Sequence, residues 1–215
     1  MTHPAPQLTQ HAKGLAQLIQ LASAVPLDPA VDHFYFLRHG QTPRNALRIF
    51  QSYDEPLSDL GLQQAALAAA VLANEPIRSI VCSDARRAFD TAHTVAAPLK
   101  LTPVAREVLR ERHFGCLVGT SSVDIDWACA PEGGETLAQF VDRKRAALDA
   151  ALQEPAPVLI VAHGGTLYVL AALLDVPVDA AVLGNAQPLC FDRAADGRWG
   201  VRALQATDGS IAAVA

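Results

Sequence analysis

The amino-acid sequence predicts an α/β fold of three layers, in which a mostly parallel central sheet is flanked by helices. Short apolar runs of strand length alternate along the chain with longer segments of helical periodicity. No internal repeat and no low-complexity linker interrupts this alternation. The chain of 215 residues is 51% hydrophobic and 18% charged, which supplies enough apolar material for a sizeable core.

The predicted strands and helices follow one another in a regular order. The first strand is the aromatic run that begins at His33 and ends at Arg38-His39-Gly40. Ser58 is expected to begin an Ala- and Leu-rich helix that runs to about residue 73. A strand over 77–82 then leads into a helix capped by Ser83 or Asp84. The later elements are strands near 101–105, 158–162, 189–191 and 199–204, an amphipathic helix opened by residues 132–136 and ended by Pro155, and a buried apolar helix over 166–174.

Residues 1–32 are predicted to form an extension to a domain that spans residues 33–215. Prolines flank the segment at both ends, and its apolar residues share one helical face, so we expect one amphipathic helix. The residues on that face are Leu8, His11, Leu15, Leu18, Ile19 and Ala22. Two locations are open for this helix, namely the body of the domain and a second subunit, and the second location would imply a homodimer. A partner-binding or targeting role is the functional alternative.

Composition and charge indicate which partners and which location to expect. The formal net charge is −5 and no basic stripe interleaved with aromatic residues is present, so we expect no nucleic-acid binding. No apolar stretch reaches transmembrane length, and the N-terminus lacks a basic region and an uninterrupted apolar region, so we expect no membrane association. The four cysteines form no C-x-x-C pair, which indicates free thiols in a reducing compartment and predicts a cytoplasmic protein.

Polar side chains follow the predicted strands at the points where these end. They are Arg38 and His39, Arg87, Glu111 and His163. In an open α/β sheet the ligand-binding crevice lies outside the carboxyl ends of the strands, so we expect these side chains to share one site. Two arginines and two histidines favour a dianionic phosphoryl group, since arginine offers planar paired donors and a neutral imidazole can attack phosphorus.

The second of these arginines has a position that helix design alone does not explain. Arg86 and Arg87 lie in the first turn of a predicted helix, where the helix dipole disfavours cations. A bound anion would compensate, so we expect Arg87 to face the site and Arg86 to face solvent. Guanidinium groups would repel a metal ion, and Asp124 and Asp126 lack a third ligand, so no metal and no cofactor is expected.

These residues are part of a longer pattern that resembles the histidine phosphatase superfamily, in the branch related to cofactor-dependent phosphoglycerate mutase. The matching stretches lie in the order of the family over roughly residues 33–205. They are Arg38-His39-Gly40-Gln41-Thr42 with Asn45, Gln51 through Pro56-Leu57-Ser58-Asp59-Leu60-Gly61 with Gln64-Ala65, Ser83-Asp84, Arg87-Ala88 with Thr91-Ala92, Glu111 with Phe114-Gly115, Gly133-Gly134-Glu135-Thr136, and His163-Gly164-Gly165. The resemblance implies a phosphoglycerate mutase-like fold.

The resemblance also implies a role for each residue of the site. His39 matches the nucleophile that becomes a phosphohistidine, and Arg38, Arg87 and His163 match the groups that bind the transferring phosphoryl group. Glu111 matches the residue that protonates the leaving oxygen and later activates water. Substrate-binding roles are implied for Asn45, Thr42 and the backbone at Gly164. Adjacent arginines should disfavour protonation of His39, as nucleophilic attack requires.

Departures from the family pattern concern the segment that would cover the substrate. Ser52 replaces a frequent glycine, and Leu117 replaces a tryptophan that is frequent in the phosphatases. The stretch from Glu111 to Gly133 is much shorter than the corresponding mutase insertion, and residues 118–131 contain no lysine or arginine. A mutase needs such cations to hold a carboxylate, so the segment disfavours a mutase. Asp124, Asp126 and Glu132 are expected to repel an anionic sugar acid, and Trp127 is expected to form an apolar wall, so nonpolar or aromatic phosphate esters should be accepted at least as well as 3-phosphoglycerate.

The function predicted from the sequence is therefore that of a metal-independent phosphomonoesterase that forms a phosphohistidine. The substrate is expected to be a small phosphorylated metabolite or a phosphoprotein. A phosphoglycerate mutase-type transfer is the first alternative. The second is a catalytically silent module that binds a phosphorylated ligand, although such a module would not need both the nucleophile and the acid.

Overall fold

The computed structural model describes residues 13–179 and 182–205 and confirms the predicted fold class. The strands are β1 His33–Arg38, β2 Ser79–Ser83, β3 Val104–Arg106, β4 Val158–Ala162, β5 Pro188–Arg193 and β6 Trp199–Ala203. The helices are α1 Leu15–Ser23, α2 Pro43–Ala46, α3 Asp59–Leu72, α4 Arg86–Leu99, α5 Leu137–Ala151 and α6 Gly164–Leu173. Two 3₁₀ turns, Glu107–Leu109 and Gly115–Leu117, follow β3.

The six strands form one sheet in the order β3-β2-β4-β1-β5-β6. The pairings of β2 with β3, β2 with β4 and β1 with β4 are parallel, whereas β5 pairs antiparallel with β1 and β6. The carboxyl ends of β1, β2 and β4 consequently lie at the same edge. This edge carries the loops that hold the predicted site residues.

Helices cover both faces of the sheet and give the three predicted layers. In β1, Phe34 and Phe36 join a core cluster with α1, α5 and α6, whereas Tyr35 and Leu37 join a second cluster with α3 and α4. Alternate side chains of a strand face opposite sides, so burial on both faces requires the uninterrupted apolar run seen in the sequence. The buried apolar helix expected near residues 166–174 is confirmed as α6.

The expected side-chain cap of α4 is wrong. Ala85 occupies the N-cap position and provides no side-chain hydrogen bond. The two predicted caps have other partners, since the hydroxyl of Ser83 lies 2.9 Å from Nε2 of His163 and the carboxylate of Asp84 accepts two hydrogen bonds from Arg110. Helix α4 also continues through Pro98, and β3 therefore begins later than expected.

Helix α1 packs on the body of the domain, against α5 and α6. Its residues Leu15, Leu18 and Ala22 are buried in the larger core cluster. Ile19 is partly buried and packs against the same cluster, whereas Leu8 and His11 of the predicted apolar face lie outside the described residues. The division of the chain at residue 32 stays a prediction. Within the part of the chain that the structure describes, no helix is long and apolar enough to cross a membrane.

The loop after β1 is held against the first turn of α3. The hydroxyl of Ser58 accepts the amide of Gly61 as the helix cap and donates to the carbonyl of Gln41. Gln64 is half-buried, and its side-chain amide oxygen accepts the backbone N–H of Gln41. A Cβ atom on Gly61 would overlap the backbone of Gln41, so α3 fixes the loop that follows His39.

We predict that Gly61→Ala destabilises the protein by about 1–3 kcal/mol, because the new methyl group must displace backbone rather than a flexible side chain. The midpoint and slope of urea unfolding measure this change. Gly184→Ala is the matched control, since a Cβ atom there has its nearest neighbour at 3.4 Å. Equal unfolding midpoints for the two variants would contradict the close approach described above.

Candidate active site

A cavity of about 400 Å³ lies at the carboxyl ends of β1, β2 and β4. The structure places six of the eight predicted site residues in its lining, namely Arg38, His39, Asn45, Arg87, Glu111 and Gly164. The other two, Thr42 and His163, are fully buried beside it and are not part of the lining. Six of the eight residues are therefore brought together at one cavity, and the two exceptions are described below.

His39 is held in one orientation by hydrogen bonds to both ring nitrogens. Nδ1 lies 2.7 Å from the carbonyl oxygen of Gly40, which can only accept, so the ring proton is on Nδ1. Nε of Arg87 donates to Nε2 of His39 over 3.2 Å, which requires a lone pair on Nε2. The ring is thus a neutral imidazole whose Nε2 lone pair lies beside a guanidinium group.

The surroundings of His39 explain why the ring is neutral. Burial lowers the pKa of His39 well below its usual range, and Arg87 and Arg38 lower it further. The hydrogen bond to Gly40 acts in the opposite direction but does not compensate. The sequence predicted the effect of the arginines, whereas the larger cause is the loss of solvent around the ring.

The two predicted phosphoryl-binding arginines are fixed by backbone carbonyls. Nη1 of Arg38 donates to Leu183 over 2.7 Å, and Nη1 of Arg87 donates to Ser52 over 2.8 Å. Nε of Arg38 is buried and has no hydrogen-bond partner among the described residues. As predicted, Arg87 is buried, whereas Arg86 is exposed and pairs with Asp90.

His163 lies at the N-terminus of α6, with its ring centroid 5.2 Å from that of His39. The hydroxyl of Ser83 accepts the amide of Ala85, and Nε2 of His163 is the only acceptor that the described residues offer to its own proton, so we assign the ring proton to Nδ1. Nδ1 is buried and unpartnered among residues 13–179 and 182–205. Burial lowers the pKa of His163 well below its usual range, and Arg87 lowers it further. The ring is a neutral group with one unused donor.

Glu111 is fixed by backbone amides at the opposite wall. One carboxylate oxygen accepts the N–H of Gly165 over 2.8 Å, and the other accepts the N–H of Arg112 over 2.9 Å. Gly165 lies in the first turn of α6, where the helix dipole favours a carboxylate. A Cβ atom on Gly165 would overlap this carboxylate and lie 2.8 Å from the ring of Trp127.

The segment that carries Glu111 is held from behind by α5. Arg143 donates to both carboxylate oxygens of Glu135 and to the carbonyl oxygens of Val108 and Arg110. Lys144 is fully buried and donates to the same two carbonyl groups. Sequence reasoning missed Lys144, because a lysine on an amphipathic helix is ordinarily solvated. The available signal was its spacing: Lys144 follows Phe140 by four residues and Val141 by three, which places it on the apolar face of α5.

Thr42 has a positioning role in this structure. Its hydroxyl accepts the backbone N–H of Asn45 over 3.0 Å and donates to the side chain of Gln51 over 2.8 Å. The first bond caps the short helix α2 and the second joins Thr42 to Gln51, and Thr42 itself is not part of the cavity lining. Asn45 lines the cavity, and its amide oxygen is buried without a partner in the described part of the chain.

The segment over residues 118–131 covers the cavity, but its acidic side chains are not part of the lining. Trp127 is buried and forms part of the wall, as the sequence predicted. Asp124, Asp126 and Glu132 are absent from the lining, and Asp126 instead accepts the amide of Ala128. The expected repulsion of sugar acids by this segment is therefore not supported by the geometry. No group of three His, Cys, Asp or Glu side chains that could hold a metal ion occurs among the described residues.

The family model of the histidine phosphatase superfamily (branch 1) matches residues 34–204. The chain belongs to the histidine phosphatase superfamily. The residues that this family model spans include the whole of the site and five of the six helices.

Similar proteins of known name include two enzyme types. The chain is 37% identical over 174 residues to glucosyl-3-phosphoglycerate phosphatase of Mycolicibacterium vanbaalenii, which covers 69% of this chain and 77% of that protein. It is 35% identical over 165 residues to a probable phosphoglycerate mutase of Yersinia pestis, and this match covers 68% of this chain and 76% of that protein. The prediction that this histidine phosphatase is a phosphoric monoester hydrolase is confirmed at the level of enzyme type.

Solved structures agree with this membership. A mycobacterial glucosyl-3-phosphoglycerate phosphatase in complex with VO3 superposes with a TM-score of 0.68 at 32% identity, over 82% of this chain and 100% of that chain. A protein described as mycobacterial hydrolase 1 has the same TM-score at 34% identity, over 82% of this chain and 99% of that chain. The predicted phosphoglycerate mutase-like fold is thereby confirmed.

Two glycines with different surroundings give a matched pair of variants. We predict that Gly165→Ala lowers kcat/KM by about 10²-fold, because the added Cβ displaces the carboxylate of Glu111. Gly200→Ala in β6 should stay within about threefold of wild type, because its Cβ has no neighbour nearer than 3.8 Å and the residue does not line the cavity. Steady-state kinetics on any accepted phosphate ester measures both variants. Equal losses in the two variants would contradict the placement of Glu111.

A pH dependence of stability follows from the buried histidines. The pKa of His39 is lowered on folding, so below about pH 6.5 the unfolded chain binds a proton there that the folded protein does not. The free energy of unfolding should therefore fall as the pH falls from 6.5. The variant His39→Gln should reduce the slope of the free energy of unfolding against pH by up to about 1.4 kcal/mol per pH unit. Urea unfolding at pH 7.0, 6.5, 6.0 and 5.5 tests this, and identical slopes for the two proteins would refute it.

Proposed function

We propose that this histidine phosphatase hydrolyses phosphate monoesters through a phosphohistidine at His39, without a metal ion. The observation that carries the proposal is the neutral ring of His39, with its proton on Nδ1 and its Nε2 lone pair beside Arg87. This is the state in which an imidazole can attack phosphorus. Arg38 and Arg87 provide fixed positive charge at the same point.

Binding of the phosphoryl group requires one exchange of hydrogen bonds. The donor that Arg87 now directs at Nε2 is needed by a phosphoryl oxygen, and its transfer to that oxygen releases the Nε2 lone pair for attack. Nε of Arg38 and Nδ1 of His163 are further donors without described partners. Charge in the transition state of phosphoryl transfer spreads over three oxygens, so fixed donors that cost no reorganisation supply most of the catalysis.

Glu111 is the group that we assign to proton transfer at the leaving oxygen. It donates a proton as the bond from phosphorus to the ester oxygen breaks, and it later takes a proton from the water that attacks phosphohistidine 39. Backbone amides and Arg143 fix the segment around Glu111, so the acid and the nucleophile keep their relative positions through both steps.

The cavity supports a small phosphorylated metabolite as the substrate. A volume of about 400 Å³ suits a ligand larger than phosphate alone and much smaller than a protein surface. Because its relatives include glucosyl-3-phosphoglycerate phosphatases, that sugar ester is the first compound to test. A cytoplasmic location is also proposed, supported by the unpaired thiols of Cys82, Cys116, Cys129 and Cys190.

The mutase alternative is kept because a relative bears that name. A mutase must hold its intermediate away from water while the phosphoryl group moves between two oxygens. Here the covering segment is short, and the bonds between residues 48–50 and 119–122 join it to the rim of an open cavity. Water access to phosphohistidine 39 favours hydrolysis.

The nucleophile is tested by trapping the phosphoenzyme. We predict that His39→Ala lowers kcat by at least about 10³-fold while the protein stays folded. Rapid quenching with ³²P-labelled substrate should give an acid-labile, alkali-stable phosphoenzyme in the wild type only. His93→Ala, on the exposed side of α4, is the control that should retain both the wild-type kcat and the labelled phosphoenzyme. Labelled protein recovered from His39→Ala would remove this residue from its assigned role.

The choice between hydrolysis and isomerisation is tested with 3-phosphoglycerate and catalytic 2,3-bisphosphoglycerate. We predict that free phosphate appears in near-equal amount to dephosphorylated product, because water reaches the intermediate. Formation of 2-phosphoglycerate and of free phosphate is followed in the same reaction. Isomer formation that outpaces phosphate release by about tenfold would make the protein a mutase.

A further inference from the structure

The charge on the cavity wall exceeds what one phosphoryl group requires. Among the described residues, four arginines line the cavity, namely Arg38, Arg48, Arg87 and Arg112, together with the single carboxylate of Glu111. A phosphoryl dianion and this carboxylate carry at most three negative charges. One cation on the wall is therefore left over, in a protein whose formal net charge is −5.

The contacts of these arginines identify which cation is left over. Arg38 and Arg87 adjoin His39 and belong to the phosphoryl end of the cavity. Arg112 is buried, and its guanidinium donates to the carbonyl oxygens of Trp127, Cys129 and Glu135. The remaining cation is Arg48.

Arg48 is exposed at the rim and has spare donors. Its guanidinium makes one described hydrogen bond, from Nη2 to the carbonyl of Val123 over 2.8 Å. It forms no ion pair with any residue that the structure describes. Nearby Arg44 differs, because its Nε lies 3.3 Å from a carboxylate oxygen of Glu55 and it does not line the cavity. The donors of Arg48 are consequently available to a ligand.

The backbone of Arg48 is held in an unfavourable conformation. Its φ of 53° lies in the left-handed region, which costs energy for any residue except glycine. The conformation is fixed by the N–H of Arg48, which donates to the carbonyl of Asn45 inside the loop, and by the N–H of Ser122, which donates to the carbonyl of Arg48 over 2.7 Å. The same residue thus joins the loop that carries Asn45 to the covering segment, and it directs a cation to the junction.

We propose that Arg48 is a specificity-determining residue that binds a carboxylate, carried by the substrate at its end remote from the phosphate. Beside its arginines, the cavity is lined largely by apolar and aromatic groups, which suits a substrate with an uncharged middle section. These groups include Ile49, Phe50, Phe114, Ile125, Trp127 and Tyr168. A guanidinium binds a carboxylate through paired, charge-assisted hydrogen bonds, which are stronger than the bonds between neutral groups that an uncharged hydroxyl group can form.

This inference rests on the proposed function and narrows its substrate class to phosphate esters that also carry a carboxylate. It reverses the expectation, drawn from the acidic residues 124, 126 and 132, that sugar acids are repelled. Those carboxylates do not line the cavity, whereas Arg48 does. Glucosyl-3-phosphoglycerate contains a carboxylate and belongs to the predicted class.

The test compares pairs of esters that differ in the carboxylate alone. 3-Phosphoglycerate is matched with glycerol 3-phosphate, and 4-carboxyphenyl phosphate is matched with phenyl phosphate, so that two distances from the phosphate are sampled. kcat/KM is measured for wild type, Arg48→Met and the control Arg44→Met. Inhibition by vanadate reports whether the phosphoryl end is intact in each variant.

We expect wild type and Arg44→Met to prefer the carboxylated ester by about tenfold in at least one pair, and Arg48→Met to lose that preference. The preference should also weaken at high salt, since an exposed cation is screened. A wild type without preference in either pair, or a preference that persists in Arg48→Met, overturns the inference and leaves the proposed phosphatase standing. A wild type that hydrolyses none of the four esters overturns both the inference and the proposed phosphatase function.

Discussion

The contact between Arg87 and His39 is the interaction on which the rest of the site depends. A buried cation donates to the Nε2 lone pair of a buried imidazole, and the carbonyl of Gly40 fixes the proton on the other nitrogen. Each partner keeps the other in a useful state. The ring stays neutral because an imidazolium there would face two guanidinium groups without water, and the guanidinium of Arg87 is directed at the position proposed for a phosphoryl oxygen.

The fold supplies this contact by bringing loops from three parallel strands to one edge. His39 follows β1, Arg87 follows β2 and His163 follows β4. The loop after β1 is tied to α3, because Gly61 of α3 approaches the backbone of Gln41 too closely for any side chain. Helix α5 and the first turn of α6 hold Glu111. The proposed catalytic groups are thus carried by loops whose backbones are tied to helices.

Much of this arrangement could be predicted from the sequence, since polar residues at the ends of apolar runs mark the ligand-binding edge of such a sheet. Arg87 was predictable because a cation in a first helical turn needs an anion to compensate. The capping role of Thr42 and the left-handed conformation of Arg48 were not predictable, because periodicity and composition reveal neither feature. The covering segment was misjudged for a related reason: its charges were counted without knowledge of which side chains line the cavity.

The protonation state of His39 is the central claim, and the side-chain ¹⁵N chemical shifts of the unliganded protein measure it most directly. Specific labelling of histidine and comparison with His39→Gln assign the signals. At pH 6.0 we expect the shifts of a neutral ring with a protonated Nδ1 and an unprotonated Nε2, because burial and two arginines lower the pKa of His39. An imidazolium, or a neutral ring with its proton on Nε2, would contradict this account of how the nucleophile is prepared.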